Sequence, residues 1–166
     1  KDTIANIIAN LYGNLYKIHV YSFADKLKKI TQEIFDPTDY DISDGKDVVG
    51  KKYQKTPRDL IKIIGNFIKN DLPKSVPQID DGYFANYVLE KIKNDISNQG
   101  QFLNIYIITD LRFKIEYKYI KKNNFKVIKI KRNSCSQDPI EISIDTFIPD
   151  YTIYNEDIND TIKQVK

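Results

Sequence analysis

The sequence has few of the residues that build disulfides, metal clusters or histidine-based active sites. It contains one cysteine, Cys135, one histidine, His19, and neither methionine nor tryptophan. A single cysteine excludes an intramolecular disulfide and any multi-cysteine metal site, and it favours a reducing compartment. We interpret Cys135 as inert. His19 alternates with apolar neighbours, which predicts a packed or half-exposed strand residue that is not a ligand.

Long hydrophobic runs and a strong net charge are also missing. No apolar stretch approaches the roughly 20 residues that span a bilayer, so we expect no membrane partner. The net charge is only +3, from 26 Lys and Arg against 23 Asp and Glu. The basic residues are dispersed among acidic ones without an aromatic–basic stripe, which argues against a nucleic-acid partner. The chain of 166 residues, 41% of them hydrophobic, predicts one soluble cytoplasmic domain.

Arginine is the scarce residue that carries the most information. Only Arg58, Arg112 and Arg132 occur among the 26 cationic residues, and the rest are lysines. A lysine-, asparagine- and isoleucine-rich composition is typical of AT-rich genomes, in which lysine is the default surface cation. Arginine, by contrast, offers a planar guanidinium that binds phosphate or carboxylate through two hydrogen bonds.

Helical and strand-like patterns alternate along the chain. Amphipathic helices are predicted in "DTIANIIANLY", "ADKLKKITQEIF", a segment opened by Thr56-Pro57, "YFANYVLEKIKNDI", "FKIEYKYIKKN" and the C-terminus from about Asp157. Strands are predicted in "YKIHVYSF", "QFLNIYIIT", "FKVIKIK" and "YTIYN". Segments 36–53 and 71–82 are interpreted as loops. Such alternation predicts an α/β fold, a three-layer, doubly wound and mainly parallel sheet.

Polar residues follow several of the predicted strands directly. Asp110 and Arg112 follow the most apolar strand, Arg132 follows the next, and Ser22 ends the first. Lys1 begins a helix that would follow a preceding strand. Because ligands bind at the carboxyl ends of strands in open α/β sheets, we expect these residues to converge, and the arginines suggest a phosphorylated ligand.

Each of these residues also has a simpler interpretation. Arg112 could pair with Glu116 on the same helix, and Arg58 could pair with Asp59 or with the helix surface. Asp110 could merely cap the helix that follows it. An arginine at the end of a lysine-rich strand could be an ordinary solvated cation.

Five segments, in order, resemble the viral deoxynucleoside monophosphate kinases, a family of P-loop kinases. "KDTIANII" resembles the end of the P-loop and its helix, "SFADKLKKI" the "FADPLK" segment, and "KTPRDLIKIIG" the "TPRELLQ" helix. "IITDLRFKIE" resembles "D-x-R-F-x-x-E", and "DYTIYNEDINDTI" resembles the closing "D-x-x-I-x-N" segment. Animal phosphomevalonate kinases share much of this pattern.

The resemblance implies a nucleoside monophosphate kinase-like fold for residues 1–166 as one domain. Region 36–100 would bind the acceptor and include a flap, and region 133–149 would form a lid-like segment. The first strand and the glycine-rich loop would precede Lys1. Loops 36–53 and 71–82 would close over the substrate.

The implied activity is phosphoryl transfer from ATP, with Mg²⁺, to a nucleoside or deoxynucleoside monophosphate in the cytoplasm, or in the host cytoplasm for a viral protein. Arg58 and Arg112 would clamp the acceptor phosphate. The other implied roles are β- and γ-phosphate binding by Lys1, ATP and Mg²⁺ binding by Asp2 and Thr3, acceptor binding by Phe23, Asp25 and Asp110, and stabilisation of the transferring phosphoryl group by Arg132.

Two other functions stay open at this point. The acceptor could be a different small molecule, as in the phosphomevalonate kinases, or the chain could be a nucleotide-binding module without catalysis.

The family's proline in "FADPLK" is Lys26 here, and its glutamine in the "TPR" helix is Lys62. A homodimer is compatible with the sequence.

Overall fold

The computed structural model describes residues 2–35, 47–80, 82–98, 103–131 and 146–165. The chain forms two compact units. The first unit comprises Lys1–Ser22 together with Val88–Lys166, and the second unit comprises Phe23–Tyr87. The second unit is therefore inserted, in sequence, between the two segments of the first. The predicted functional divisions at 36–100 and 133–149 remain predictions.

Helices and strands alternate as the sequence predicts. The α-helices are α1 (Asp2–Tyr12), α2 (Ala24–Ile34), α3 (Pro57–Asn66), α4 (Leu72–Ser75), α5 (Tyr83–Asn98), α6 (Lys114–Lys122) and α7 (Ile158–Val165). The strands are β1 (Lys17–Tyr21), β2 (Asn104–Ile108), β3 (Ile128–Lys131) and β4 (Tyr151–Tyr154). One π-helical turn, Phe67–Asp71, joins α3 to α4.

The strands pair in parallel, which confirms the α/β class. In the first sheet, β1 runs beside β2 with Lys17 opposite Asn104 and Tyr21 opposite Ile108. In the second, β3 runs beside β4. Within the described residues the four strands form these two separate pairs and not the single sheet that the sequence predicts. Both pairs are parallel, as the sequence predicts for a mainly parallel sheet.

The core of the first unit contains α1, whose helical periodicity sets its buried face. Ile4 and Ile7 are buried against Ile153 of β4, and Ile130 of β3 and Ile162 of α7 pack around them. Residues three and four apart share one face of a helix, so the sequence spacing alone selects this face.

The second unit contains α2, α3 and α4. Thr56 caps α3, since its hydroxyl accepts from the backbone amide of Asp59 (3.1 Å) while the Asp59 carboxylate accepts from the backbone amide of Thr56 (3.3 Å). The loop prediction for 71–82 is wrong at its start, because Leu72–Ser75 is helical. Pro73 permits this helix because proline is tolerated in a first turn, where its missing amide has no helical partner.

Candidate functional site

The carboxyl ends of β1 and β2 lie side by side in the first unit. The backbone amide of Thr109 donates to the Tyr21 carbonyl (3.1 Å), which extends the strand pairing by one step. Beyond it, the Ser22 hydroxyl donates to Asp110 Oδ2 at 2.6 Å. The predicted convergence of these two strand ends is thereby confirmed, and the parallel pairing is its cause.

Arg112 lies in the short connection between β2 and α6, directly after this hydrogen bond. Its side chain is exposed. Its backbone amide donates to Glu116 Oε2 at 2.8 Å, and the amide of Phe113 donates to the same oxygen at 3.0 Å. The backbone amides of the two residues that precede α6 are thus satisfied by an internal carboxylate. A phosphate at this edge would be contacted by the Arg112 guanidinium and not by these amides.

Glu116 is a buried carboxyl group, 8% exposed. The pKa of this group is raised from 4.5 to about 7, chiefly by burial, and the nearby Asp110 carboxylate acts in the same direction. The two backbone hydrogen bonds and the Arg112 charge act in the opposite direction without cancelling the effect of burial. Near neutral pH the carboxyl group is therefore divided between its protonated and charged forms. The sequence indicates Glu116 only as a partner for Arg112, because the burial of Glu116 depends on tertiary packing.

The simpler interpretations of Asp110 and Arg112 are wrong in detail. Glu116 caps the start of α6, because its carboxylate accepts from the backbone amide of Phe113. Asp110 instead accepts from Ser22. Arg112 does contact Glu116, but through its backbone amide, and within the described residues its guanidinium forms no ion pair.

Arg58 lies in the second unit, on α3, and its side chain is exposed. Its Nε is 2.8 Å from Asp47 Oδ1, and its Nη2 donates to Asp47 Oδ2 at 3.4 Å. Of the simpler interpretations, the pairing of Arg58 with Asp59 is not found, because that carboxylate caps α3. The sequence offered no signal for Asp47, which lies 11 residues before Arg58, and residues 47–56 form neither helix nor strand.

The remaining predicted site residues are distributed as follows. Phe23 is 2% exposed and belongs to the core of the second unit. Asp25, in the same unit, is exposed and pairs with Lys28 at 3.5 Å. Thr3 is exposed in the first turn of α1. Predictions for Lys1, Arg132 and the Asp2 side chain lie outside the described residues, and Arg58 and Arg112 are placed in different units.

Across residues 2–35, 47–80, 82–98, 103–131 and 146–165, no group of three or more His, Cys, Asp or Glu side chains could hold a metal ion. The predicted Mg²⁺ contacts rest on Thr3, whose exposed hydroxyl could supply one oxygen ligand, and on Asp2. One hydroxyl does not bind Mg²⁺ alone, so substrate phosphates and water would have to supply the other oxygens. None of the described helices is both long and apolar enough to cross a membrane.

A second polar cluster lies on the β1–β2 sheet of the first unit. The Tyr21 hydroxyl donates to Asp95 of α5, and burial together with this carboxylate raises the pKa of Tyr21 well above its usual value. The His19 ring stacks on Tyr106 at 4.9 Å, and its Nε2 lies 3.1 Å from Asn104 Oδ1. These contacts place His19 as the packed strand residue that the sequence predicts.

The second unit contains an apolar cavity of about 290 Å³. The side chains that line it are Ile30, Ile34, Ile64, Phe67, Ile68, Leu72, Ile79 and Tyr83. No charged side chain lines this cavity, so it offers no partner for a phosphate group. The polar edge formed by β1 and β2 is therefore the better candidate for an anionic ligand.

No protein-family model matches the chain, and neither curated proteins nor solved structures give a significant match to it. The class that the structure itself defines is an α/β protein with parallel strand pairs.

Proposed function

We propose that this protein is a phosphotransferase that transfers the γ-phosphoryl group of ATP to a nucleoside or deoxynucleoside monophosphate. The observation that supports the proposal best is the polar edge of the first unit. There the hydrogen bond between Ser22 and Asp110 joins two parallel strand ends directly beside the exposed Arg112. This is the position at which open α/β proteins bind their ligands.

The chemistry of the edge suits phosphate binding. Phosphoryl transfer requires positioning and neutralisation of charge more than covalent chemistry from the protein. Arg112 would supply a planar, permanently charged donor to the acceptor phosphate. Asp110, fixed by Ser22 at 2.6 Å, would orient a neighbouring donor or metal-bound water. When bound, Mg²⁺ would neutralise charge on the ATP phosphates.

The roles of the other residues follow from the family resemblance and belong to the same proposal. Lys1 would contact the β- and γ-phosphates of ATP, and Arg132 would stabilise the transferring group. Arg58 would bind the acceptor phosphate, for which it would have to leave Asp47. Exposed ion pairs contribute only about 0–1 kcal/mol, so an incoming phosphate dianion can displace this carboxylate.

A kinase that acts on another small phosphorylated acceptor is the nearest alternative, because the same edge would bind its phosphate. A nucleotide-binding module without catalysis is the alternative from another class. It would bind ATP without producing ADP from any acceptor, so ADP release measured with nucleotide and other acceptors separates the three functions.

The test is a coupled ADP-release assay on the full-length protein with ATP, Mg²⁺ and each nucleoside and deoxynucleoside monophosphate in turn. We expect acceptor-dependent turnover with at least one of them. The variant Arg112→Ala should lower kcat/KM roughly tenfold to a hundredfold, because charge-assisted hydrogen bonds to the phosphate are lost. Lys118→Ala is the matched control, since it removes an exposed cation from α6.

Turnover that is equal in the two variants would contradict the role of Arg112. Absence of turnover with every nucleotide, from folded protein that still binds ATP, would refute the nucleotide kinase. Phosphomevalonate would then be the next acceptor to test, and silence with it would leave the non-catalytic module.

A further inference from the structure

Glu116 contributes a contact that the proposed transfer reaction does not by itself explain. One of its carboxylate oxygens accepts from two successive backbone amides, those of Arg112 at 2.8 Å and Phe113 at 3.0 Å. The carboxyl group is buried, so these two amides replace hydration that it has lost. We propose that Glu116 is a positioning residue, which holds the main chain of Arg112 so that its guanidinium meets the acceptor phosphate. This inference rests on the proposed function.

The connection between β2 and α6 is held at two points. Asp110 is fixed by the Ser22 hydroxyl at 2.6 Å, and two residues later the main chain of Arg112 is fixed by Glu116. Leu111, between them, is half-buried. An arginine side chain loses conformational entropy when it is immobilised. A fixed main chain leaves only the side-chain rotations to be ordered when a phosphate binds.

The geometry also leaves the positive charge of Arg112 available. A direct ion pair with Glu116 would compete with phosphate for the guanidinium, whereas a contact through the backbone amide does not. In the described residues the guanidinium has no ion-pair partner. The charged groups that act on Glu116 are Asp110 and Arg112, and burial together with the former raises its pKa to about 7. A partly protonated carboxyl group opposes a phosphate dianion less than a fully charged one would.

The test compares four forms of the full-length protein: the wild type, Glu116→Gln, Glu116→Ala and Arg112→Ala. Hydrogen exchange of the Arg112 and Phe113 amides is measured by NMR, which requires no nucleotide. Inorganic phosphate is then titrated while the Arg112 Nε resonance is followed. The acceptor KM and kcat are determined separately in the ADP-release assay.

Glutamine keeps an oxygen that accepts from both amides, so Glu116→Gln should preserve slow exchange, the phosphate response of Arg112 and the acceptor KM. Glu116→Ala should accelerate exchange of both amides roughly tenfold or more and raise the acceptor KM roughly tenfold. Its kcat should change less, because the transferring group is held elsewhere. If the alanine variant does not fold, Glu116→Asp replaces it, since its side chain, shorter by one methylene group, cannot keep both contacts.

Amide exchange and phosphate response in Glu116→Ala, or in its aspartate replacement, that equal those of the wild type would overturn the proposal. So would a glutamine variant as impaired as the alanine variant, because the acceptor oxygen would then not be the feature that matters. A phosphate response that depends on Glu116, in a protein without turnover, would support the positioning role and refute the kinase instead.

Discussion

The pH dependence of stability offers a direct test of how Glu116 is placed. The folded protein holds the pKa of this carboxyl group at about 7, against 4.5 in the unfolded chain, chiefly because burial disfavours its charged form. A carboxyl group whose pKa is raised on folding makes its full contribution to stability at pH values below its pKa in the unfolded chain. That contribution is lost as the pH rises from 4.5 to about 7. Well above pH 7 this group no longer changes the free energy of unfolding as the pH rises.

The size of the effect follows from the same two values. A rise in pKa from 4.5 to about 7 corresponds to roughly 3 kcal/mol of lost unfolding free energy. Glu116→Gln removes the titration and keeps a hydrogen-bond acceptor for the two amides. The stability of this variant minus that of the wild type should therefore increase by about 3 kcal/mol between pH 4.5 and pH 8. This corresponds to a shift of roughly 1–2 M in the urea midpoint.

Urea denaturation, followed by circular dichroism at five pH values between 4 and 8.5, measures this difference. Titration of the other groups is shared by both proteins and cancels in the subtraction. Glu33→Gln serves as the control, because it removes an exposed carboxylate from α2. A difference between Glu116→Gln and the wild type that does not change with pH would refute the reasoning, since it would mean that this carboxyl group is hydrated in solution.

Three further predictions concern packing and charge elsewhere, each measured by urea denaturation. Tyr106→Phe should stabilise the protein by about 1 kcal/mol, because the buried Tyr106 hydroxyl has no hydrogen-bond partner among the described residues. Tyr21→Phe, its matched comparison, should destabilise, because it removes a hydroxyl that is hydrogen-bonded. Gly13→Ala should cost about 1–3 kcal/mol, since an added Cβ would lie 2.5 Å from the carbonyl oxygen of Ala9. The wild type should lose stability as the pH falls below about 3.8, because a backbone amide lowers the pKa of the Asp150 carboxyl group on folding. Asp150→Asn should abolish this loss. The same dependence of stability on acid pH in the variant and the wild type would contradict the prediction.

Local sequence patterns predicted most of the helices and strands, for physical reasons that act over a few residues. The Thr56-Pro57 pair opens α3, because a threonine hydroxyl caps the first amides and proline has no amide to satisfy. The helix α1 ends at Tyr12, just before Gly13. Where the prediction failed, at Leu72–Ser75, a proline taken as part of a loop lies in a first helical turn instead.

The sequence placed Asp110 and Arg112 at a strand end correctly, because the order of strand and polar residue is local. It could not identify the contacts of those residues, which come from distant parts of the chain. Ser22 lies 88 residues before Asp110, and only the parallel pairing of β1 with β2 brings the two together. The partner of Arg58 was missed for a similar reason, since Asp47 lies in residues 47–56, which have no helical or strand periodicity to place it.

The sequence by itself determined the α/β class, the amphipathic faces of the helices and the scarcity of arginine that directs attention to the strand ends. These features depend on periodicity and residue chemistry, which are local properties. Only the tertiary structure decided that Glu116 is buried, that it holds the backbone of Arg112, and that the Arg112 guanidinium remains exposed. Burial and the pKa that follows from it depend on how much water neighbouring elements exclude, and no stretch of sequence specifies that alone.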